Sequence, residues 1–152
     1  MPRTQFGWSR LIKGLSETVA NEIFGAGEVS AVEADTCILV EGQPVEKLYI
    51  LLSGTVEVLL SGARDIASAI KLADIGPGEI FGEFAFVDRR PASATIRTVS
   101  DVSIFGIELD VLQGFLDENP AAAIVVYRNL NEVFVERLRA SNAELDALAF
   151  SL

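Results

Sequence analysis

The chain has 152 residues, half of them hydrophobic, and it carries 12 basic against 22 acidic residues. This length and composition fit a single globular domain over residues 1–152 with its own core, and the net charge of −10 disfavours a nucleic-acid-binding module because it repels phosphates. Since histidine is absent, the Ser-His-Asp and Cys-His catalytic arrangements and the commonest zinc ligand sets are excluded.

The sequence gives no sign of a membrane or secretory segment. No apolar run approaches the roughly 20 residues of a membrane span, and the N-terminal stretch lacks the hydrophobic region of a secretory signal. We therefore expect a cytoplasmic protein with no membrane partner.

Few residues are suited to catalysis. The single cysteine, Cys37, cannot form an internal disulfide, and its apolar setting in the run TCILV predicts a buried structural thiol. No carboxylate cluster has the spacing of a metal site. Without a nucleophile–base pair or a metal set, we expect no enzymatic activity.

The first predicted element is a helix over residues 8–24. The Gly25-Ala26-Gly27 run would end it. Apolar residues recur in this segment near the 3.6-residue period, at Trp8, Leu11, Ile12, Leu15, Val19 and Ile23. We expect this helix to pack on the rest of the domain.

A different pattern covers residues 28–108, where short runs rich in Val, Ile, Phe and Leu alternate with glycine-bearing turns. This pattern predicts a mainly β domain with flanking helices, built as a β-roll: a double-stranded β-helix, or jelly-roll barrel. The Ser53-Gly54 pair would form the turn of a hairpin over residues 51–56. The Gly-Pro-Gly run at residues 76–78 would separate two further strands.

Helical periodicity returns over residues 109–150. A short helix would end near Asn119 and Pro120, and a long helix would follow it. Along the long helix, one set of positions recurs at alternating steps of four and three, which is the coiled-coil repeat. These seam positions are Ile124, Tyr127, Asn131, Phe134, Leu138, Ser141, Leu145, Leu148 and Leu152.

The long helix also has a second apolar stripe, formed by Val126, Leu130 and Val133, which would pack on the barrel. A helix with two apolar faces has two partners, so we predict a homodimer. Its interface would contain Phe134, Leu138, Ser141, Leu145 and Leu148. The alternative is one helix packed wholly on its own domain. The polar seam residues Asn131 and Ser141 would set the register of the dimer at a cost in stability.

Two sequence blocks carry a resemblance to a known family. The block VEGQPVEKLYILLSGTVEV, residues 40–58, resembles the first conserved block of the cyclic nucleotide-binding domain. Its matching positions are Gly42, Tyr49, Ile50, Gly54 and Val56. The block at residues 72–96 resembles the phosphate-binding cassette of that family. The long terminal helix resembles the dimerising helix of its catabolite activator protein group, in which residues 135–150 match the stretch that bears the adenine contacts. The likeness covers almost the whole chain and implies the fold of this family.

The resemblance implies a site for cyclic AMP or cyclic GMP and no required cofactor. The implied site residues are Gly82, Glu83, Phe84, Ala85, Arg90, Pro91, Ala92, Ser93, Ala94, Ser141 and Asn142. Gly82 would let the backbone approach the ribose, and Glu83 would accept a hydrogen bond from its 2′-hydroxyl. The turn at residues 90–94 would present backbone N–H groups at a short helix start, which favours an anion. Ser141 and Asn142 would face the base.

This chain departs from the family at the phosphate clamp. The family's clamping arginine directly follows the cassette proline, where this chain has Ala92. A charge-assisted contact contributes about 1.5–3 kcal/mol, so losing a two-pronged clamp would weaken binding by on the order of 100- to 1000-fold. Arg89 or Arg90 could substitute for the clamp, or both could be solvated turn residues. Arg97 is expected at an exposed strand position within reach of the pocket mouth.

We therefore expect a non-catalytic regulatory domain that senses a cyclic nucleotide and transmits occupancy by moving its long helix. Because the sequence stops at Leu152 with no DNA reader, kinase or channel segment, output would pass through a protein partner or the dimer. The alternative is a degenerate scaffold of the same fold that serves dimerisation or protein contact without a ligand. A transcription factor is disfavoured by the acidic charge, and a sugar-processing cupin would need metal-binding histidines.

Overall fold

The computed structural model describes residues 9–62 and 65–151, so the predicted apolar positions Trp8 and Leu152 lie outside the described residues. The elements in chain order are α1 (Glu17–Gly25), β1 (Glu28–Val32), β2 (Cys37–Leu39), β3 (Lys47–Ser53), β4 (Val56–Leu60), a short 3-10 helix (Ile66–Ser68), β5 (Ile70–Ile75), β6 (Ile80–Phe81), α2 (Glu83–Asp88), β7 (Thr95–Thr98), β8 (Val102–Glu108), α3 (Leu109–Glu118) and α4 (Pro120–Ser151). The predicted fold class, a β-roll followed by a long C-terminal helix, is confirmed.

The strands form two four-stranded antiparallel sheets that enclose an apolar core. One sheet has the order β1-β8-β3-β6 and the other the order β2-β7-β4-β5. The core between them draws residues from both sheets: Leu51, Val56, Ile75, Phe81, Ile96, Val102 and Ile104. Tyr49 stacks on Phe81 with ring centroids 5.0 Å apart. The cassette loop that follows β6 therefore leaves from the edge of a well-packed sheet.

The helices pack on the opposite face of the first sheet, and α4 provides much of that second core. The predicted barrel-facing stripe is confirmed, because Val126, Leu130 and Val133 are fully buried against the residues of this cluster. Residues 141–149 of α4 are all exposed, so the helix continues past the domain. Within the described part of the chain, no helix combines the length and the apolar character that crossing a bilayer requires.

The predicted hairpin over residues 51–56 is wrong. Strand β3 pairs with β6 and β8, whereas β4 pairs with β5 and β7, so the turn carries the chain from one sheet to the other. Gly54 does adopt a positive φ of 84°, and a Cβ there would lie 2.5 Å from the carbonyl oxygen of Asp101. Apolar runs flanking a glycine turn look the same at a hairpin and at a corner between sheets.

The N-terminal helix is shorter than the predicted range of residues 8–24. It begins at Glu17, because the Ser16 side chain caps it by accepting a hydrogen bond from the Val19 N–H at 3.2 Å. Before the cap, the chain makes turns in which Gly14 has a φ of 90°. The apolar residues Leu11, Ile12 and Leu15 are buried in these turns. Their helix-like spacing therefore reflects burial and not a helix, and the predicted start at residue 8 is wrong.

Cys37 is exposed, so the predicted buried thiol is also wrong. It begins β2, a three-residue strand at the edge of its sheet, and it is paired with Arg97, which is paired in turn with Glu57. Paired residues share a face of a sheet, and this polar row occupies the outer face. The apolar run identifies a strand but does not say which of its residues face the core.

Candidate ligand-binding site

The cassette begins at a sharp turn made by Gly82. The apolar run IFGEFAFV is not one strand: β6 ends at Phe81, and α2 begins at Glu83. Between them Gly82 has a φ of 79°, and a Cβ at this position would lie 2.7 Å from the carbonyl oxygen of Lys47. Glycine is needed here both for the left-handed conformation and for the close approach to β3.

Glu83 is the most buried charged residue of the cassette, with a relative exposure of 3%. Its Oε1 atom is paired with the guanidinium of Arg137 on α4. Arg137 also donates a hydrogen bond through Nη2 to the Ile80 carbonyl oxygen at 2.7 Å. One side chain of the long helix therefore holds both the carboxylate of the cassette and the strand that leads into it.

Sequence reasoning did not identify Arg137 as a site residue. Two signals could have found it. Arg137 lies four positions before Ser141, so the two share a face of the helix. In addition, a glutamate placed in a buried cassette needs a cation, because an unpaired buried charge is strongly unfavourable.

The surroundings of Arg137 form a wider charge network. Burial lowers the pKa of the Arg137 guanidinium. The Glu79 carboxylate raises that pKa in part, and the positive charge of Arg10 lowers it further. Arg10 itself contacts Glu79 at 3.5 Å and Glu136 at 2.5 Å. The N-terminal segment, the loop before β6 and α4 thus meet around the Glu83 pair.

The sequence predicts a short helix start at the turn of residues 90–94, but no helix begins there in the structure. The turn follows α2, which ends at Asp88 with Arg89 as its C-cap. The turn is fixed to the loop between β2 and β3: the Gly42 N–H donates to the Ala92 carbonyl oxygen, and the Ala92 N–H donates to the Gln43 carbonyl oxygen, both at 2.9 Å. The two sequence blocks that carry the family resemblance are therefore in direct contact.

The candidate replacements for the missing clamp have other contacts in this structure. Arg89 donates to Asp110 Oδ1 at 2.8 Å, and Arg97 is held by Glu57 through two hydrogen bonds of 2.9 Å and 2.6 Å. Arg90 is exposed, and among the described residues no carboxylate pairs with its side chain. Arg89 and Arg97 are therefore each engaged by a carboxylate, and Arg90 is the candidate for which the described residues supply none.

A groove of about 440 Å³ runs between α2 and α4. It is lined by Phe84, Val87, Asp88, Phe134, Arg137, Leu138 and Ser141. The rings of Phe84 and Phe134 are 5.6 Å apart between centroids. The predicted site residues Phe84 and Ser141 are thus brought to one surface, whereas Asn142 is exposed and does not line the groove.

The remaining predicted site residues are distributed along the cassette. Ala85 is a buried residue of α2, while Pro91 and Ser93 are exposed and Ala94 is half-buried just before β7. Thr95, the first residue of β7, is buried, and its Oγ1 accepts a hydrogen bond from the Glu41 N–H at 3.0 Å. The cassette therefore has a rigid base and an exposed rim.

The sequence matches a protein-family model and several characterised proteins, and the fold is similar to that of solved structures. The family model described as the cyclic nucleotide-binding domain matches residues 29–119. Glutaminase 2 of Bradyrhizobium diazoefficiens is 31% identical over 138 residues, which are 89% of this chain and 21% of that protein. The CRP-like cAMP-activated global transcriptional regulator of Mycobacterium tuberculosis is 30% identical over 115 residues, which are 75% of this chain and 48% of the regulator.

Among solved structures, the catabolite activator protein of Thermus thermophilus is similar with a TM-score of 0.78 and 26% identity, over 93% of this chain and 64% of that one. The present chain spans about a fifth of the glutaminase and about half of the regulator. The matched region runs from β1 to the end of α3 and contains the whole cassette. The chain belongs to the cyclic nucleotide-binding domain family.

Proposed function

We propose that this chain is a non-catalytic regulatory domain that binds a cyclic nucleotide, cyclic AMP or cyclic GMP, beside Glu83 and signals by moving α4. The ion pair between Glu83 and Arg137 carries this proposal. It joins the cassette that would hold the ligand to the helix that would transmit its presence. A ligand hydroxyl that donates to the carboxylate would weaken or reorient the pair, so ligand occupancy and helix position would depend on the same side chain.

The exposed part of α4 supports a homodimer as the form in which this domain works. Leu138, Leu145 and Leu148 are 62%, 64% and 61% exposed, and they follow the coiled-coil repeat. Exposed apolar side chains in a continuous stripe favour association. Because Ser141 lies in the same stripe and lines the groove, dimerisation and ligand binding would act on one helix.

The output would pass through another protein or through further domains. The relatives that match this chain include a glutaminase and a transcriptional regulator, which supports a module whose effect is exerted by what it is joined to. The cytoplasmic location expected from the sequence stays a prediction.

Isothermal titration calorimetry with cyclic AMP and with cyclic GMP tests the proposal. We expect saturable binding in the micromolar to millimolar range, since position 92 is an alanine and Arg89 and Arg97 are paired with carboxylates. Glu83→Gln should weaken binding by about tenfold or more, whereas the exposed control Glu118→Gln should not. If the folded protein gives no heat with either nucleotide or with the corresponding nucleosides, the sensor proposal fails.

A second candidate is a scaffold that dimerises without a ligand. The contacts of Arg89 with Asp110 and of Arg97 with Glu57 favour it, because they leave these cations engaged within the fold. A scaffold would form the same dimer, measured by light scattering, and would show no change in dimerisation or in hydrogen exchange of α4 when nucleotides are added.

A further inference from the structure

The charges around the cassette determine which ligand could stay bound there. An anion taken out of water needs a cation or several N–H donors, whereas a neutral hydroxyl needs only one hydrogen-bond partner. The interior of the roll is apolar, and Glu83 already contributes a buried carboxylate. An anionic ligand could therefore stay bound only if a Lys or Arg side chain of the described residues were free to pair with it.

Several cations of the described residues are already paired with carboxylates. Their partners are Glu83 for Arg137, Asp110 for Arg89, Glu57 for Arg97, Glu79 and Glu136 for Arg10, and Glu57 and Asp74 for Lys71. Each of these pairs would have to break before its cation could meet a phosphate. Breaking a pair leaves an unpaired carboxylate, which offsets the gain from the new contact.

Four described cations form no ion pair with a carboxylate: Lys47, Arg90, Arg128 and Arg139. Arg128 and Arg139 are exposed on α4. Arg90 belongs to the cassette and the Lys47 backbone lies against Gly82, but the position of neither side chain suits a buried anion. Lys47 is the first residue of β3, and its side chain lies against Gly106 of β8 on one side of that strand. Gly82 follows β6, which pairs with the other side of β3. Arg90 is exposed, and its neighbour Asp88 accepts a hydrogen bond from the Arg90 N–H at 2.9 Å. An exposed cation beside a carboxylate attracts a ligand phosphate only weakly, because water and salt screen it.

One backbone donor of the turn is already used within the fold. The N–H of Ala92 is used by the Gln43 carbonyl oxygen, so it points into the fold. Position 92 carries a methyl group in place of a donor. An anion at this turn would thus lack a charged donor at position 92, and neutral donors alone hold an anion less strongly than charge-assisted hydrogen bonds do.

What remains suits a neutral hydroxyl group. Arg137 pairs with the Oε1 atom of Glu83, and a carboxylate that accepts from one cation keeps lone pairs for a further donor. A carboxylate oxygen in an apolar surrounding is a strong acceptor for a hydroxyl. A ligand that donates one hydroxyl there adds no charge to a site whose net charge is already balanced.

We infer that this site selects an uncharged nucleoside over the cyclic phosphate of the same nucleoside, with a ribose hydroxyl donating to Glu83. The inference rests on the proposed function, since it concerns the ligand class of the same site. The phosphate is the disfavoured part of the ligand, and the sugar and base provide the binding.

Titration calorimetry on the whole chain tests this with adenosine against cyclic AMP and guanosine against cyclic GMP. At least one nucleoside should bind about tenfold or more tightly than its cyclic phosphate, and its 2′-deoxy form should bind less tightly. Ala92→Arg, at a residue whose backbone is held on both sides, should tighten cyclic nucleotide binding about tenfold while the nucleoside affinity changes little. Ala121→Arg, at an exposed alanine of α4 outside the cassette, adds the same charge and is the matched control; it should leave the order of affinities unchanged.

The outcomes distinguish a failure of the selectivity inference from a failure of the proposed function. If the unchanged protein binds a cyclic nucleotide as tightly as its nucleoside or more tightly, the selectivity inference is wrong while the proposed function stands. An Arg90→Ala variant that loses cyclic nucleotide binding would identify Arg90 as the clamp and would overturn the inference in the same way. If neither the unchanged protein nor Ala92→Arg binds any of the four compounds, the proposed function fails together with the inference.

Discussion

The guanidinium of Arg137 in α4 is paired with the buried carboxylate of Glu83, the first residue of α2. This contact links the cassette to the helix whose end extends beyond the domain. Because Arg137 also holds the Ile80 carbonyl oxygen, the helix cannot shift along the domain without releasing both groups. The stability of this contact is therefore a direct measure of how firmly the cassette and α4 are joined.

Arg137→Met should destabilise the domain by about 3 kcal/mol, because it leaves Glu83 buried without its cation. Urea unfolding followed by circular dichroism measures this change. The double variant Glu83→Gln with Arg137→Met should recover part of the loss, since it removes the orphaned charge. Arg139→Met, at an exposed position two residues later, is the control. Equal effects of Arg137→Met and Arg139→Met would mean that the pair does not hold the cassette.

Asn129→Ala should detach the N-terminal segment from α4. The buried Asn129 amide donates two hydrogen bonds of 2.8 Å, to the carbonyl oxygens of Leu11 and Lys13. Losing both should cost about 2 kcal/mol in unfolding free energy and should speed hydrogen exchange in residues 10–15. Asn131→Ala, exposed on the same helix, should change neither. Unaltered exchange in the Asn129 variant would show that packing alone holds the segment.

The sequence predicts those features of this fold that depend on local patterns. Short apolar runs and glycine turns identify the strands, and the helical period identifies α3, α4 and the buried stripe at Val126, Leu130 and Val133. The positive φ at Gly54 is also visible as turn chemistry. Which sheet a strand joins depends on its pairing with strands far away in the sequence. Local patterns therefore predict a hairpin at Gly54, where the chain in fact passes between the two sheets.

The site was harder to predict than the fold because its contacts are tertiary. Glu83 could be identified from the cassette, but its partner Arg137 is in another element, and its burial arises only after α4 packs. The engagement of Arg89 with Asp110 likewise depends on where α3 begins. The family resemblance predicts that a clamp is missing at Ala92, and the contacts of Arg89 and Arg97 are visible only in the structure.

Two glycine-to-alanine changes should have opposite signs. Gly82→Ala should destabilise the domain by about 2 kcal/mol or more, because the left-handed conformation is unfavourable for alanine and the new Cβ would lie 2.7 Å from a backbone oxygen. Gly114→Ala should stabilise it by about 1 kcal/mol, since Gly114 lies within α3, where a Cβ meets nothing within 4 Å. Urea unfolding of the pair measures both. A neutral Gly82→Ala would contradict the close approach of the cassette to β3.

Stability should fall as the pH rises above about 10, in part through Tyr49. Burial raises the pKa of the Tyr49 phenol above its usual 10.0, and the Glu46 carboxylate adds to this. Between these two pKa values the unfolded chain loses the proton that the folded protein keeps, so the free energy of unfolding decreases with pH. Tyr49→Phe should lose stability less steeply over the same range in urea unfolding. Parallel pH curves for the two proteins would show that the phenol is not responsible.

Leu138→Glu and Leu145→Glu should each weaken self-association by about tenfold or more, because both side chains are exposed on the seam of α4 and a charge there would face its copy across an apolar interface. Size-exclusion chromatography with light scattering over a range of concentrations measures the effect. Ala143→Glu, an exposed position on the opposite side of the helix, adds the same charge off the seam and should leave the dimer intact. Weak dimers already form at about 100 μM. If the unchanged protein is monomeric at that concentration, the exposed stripe of α4 does not bind a second copy, and the proposed coupling of ligand binding to dimerisation through this helix is wrong.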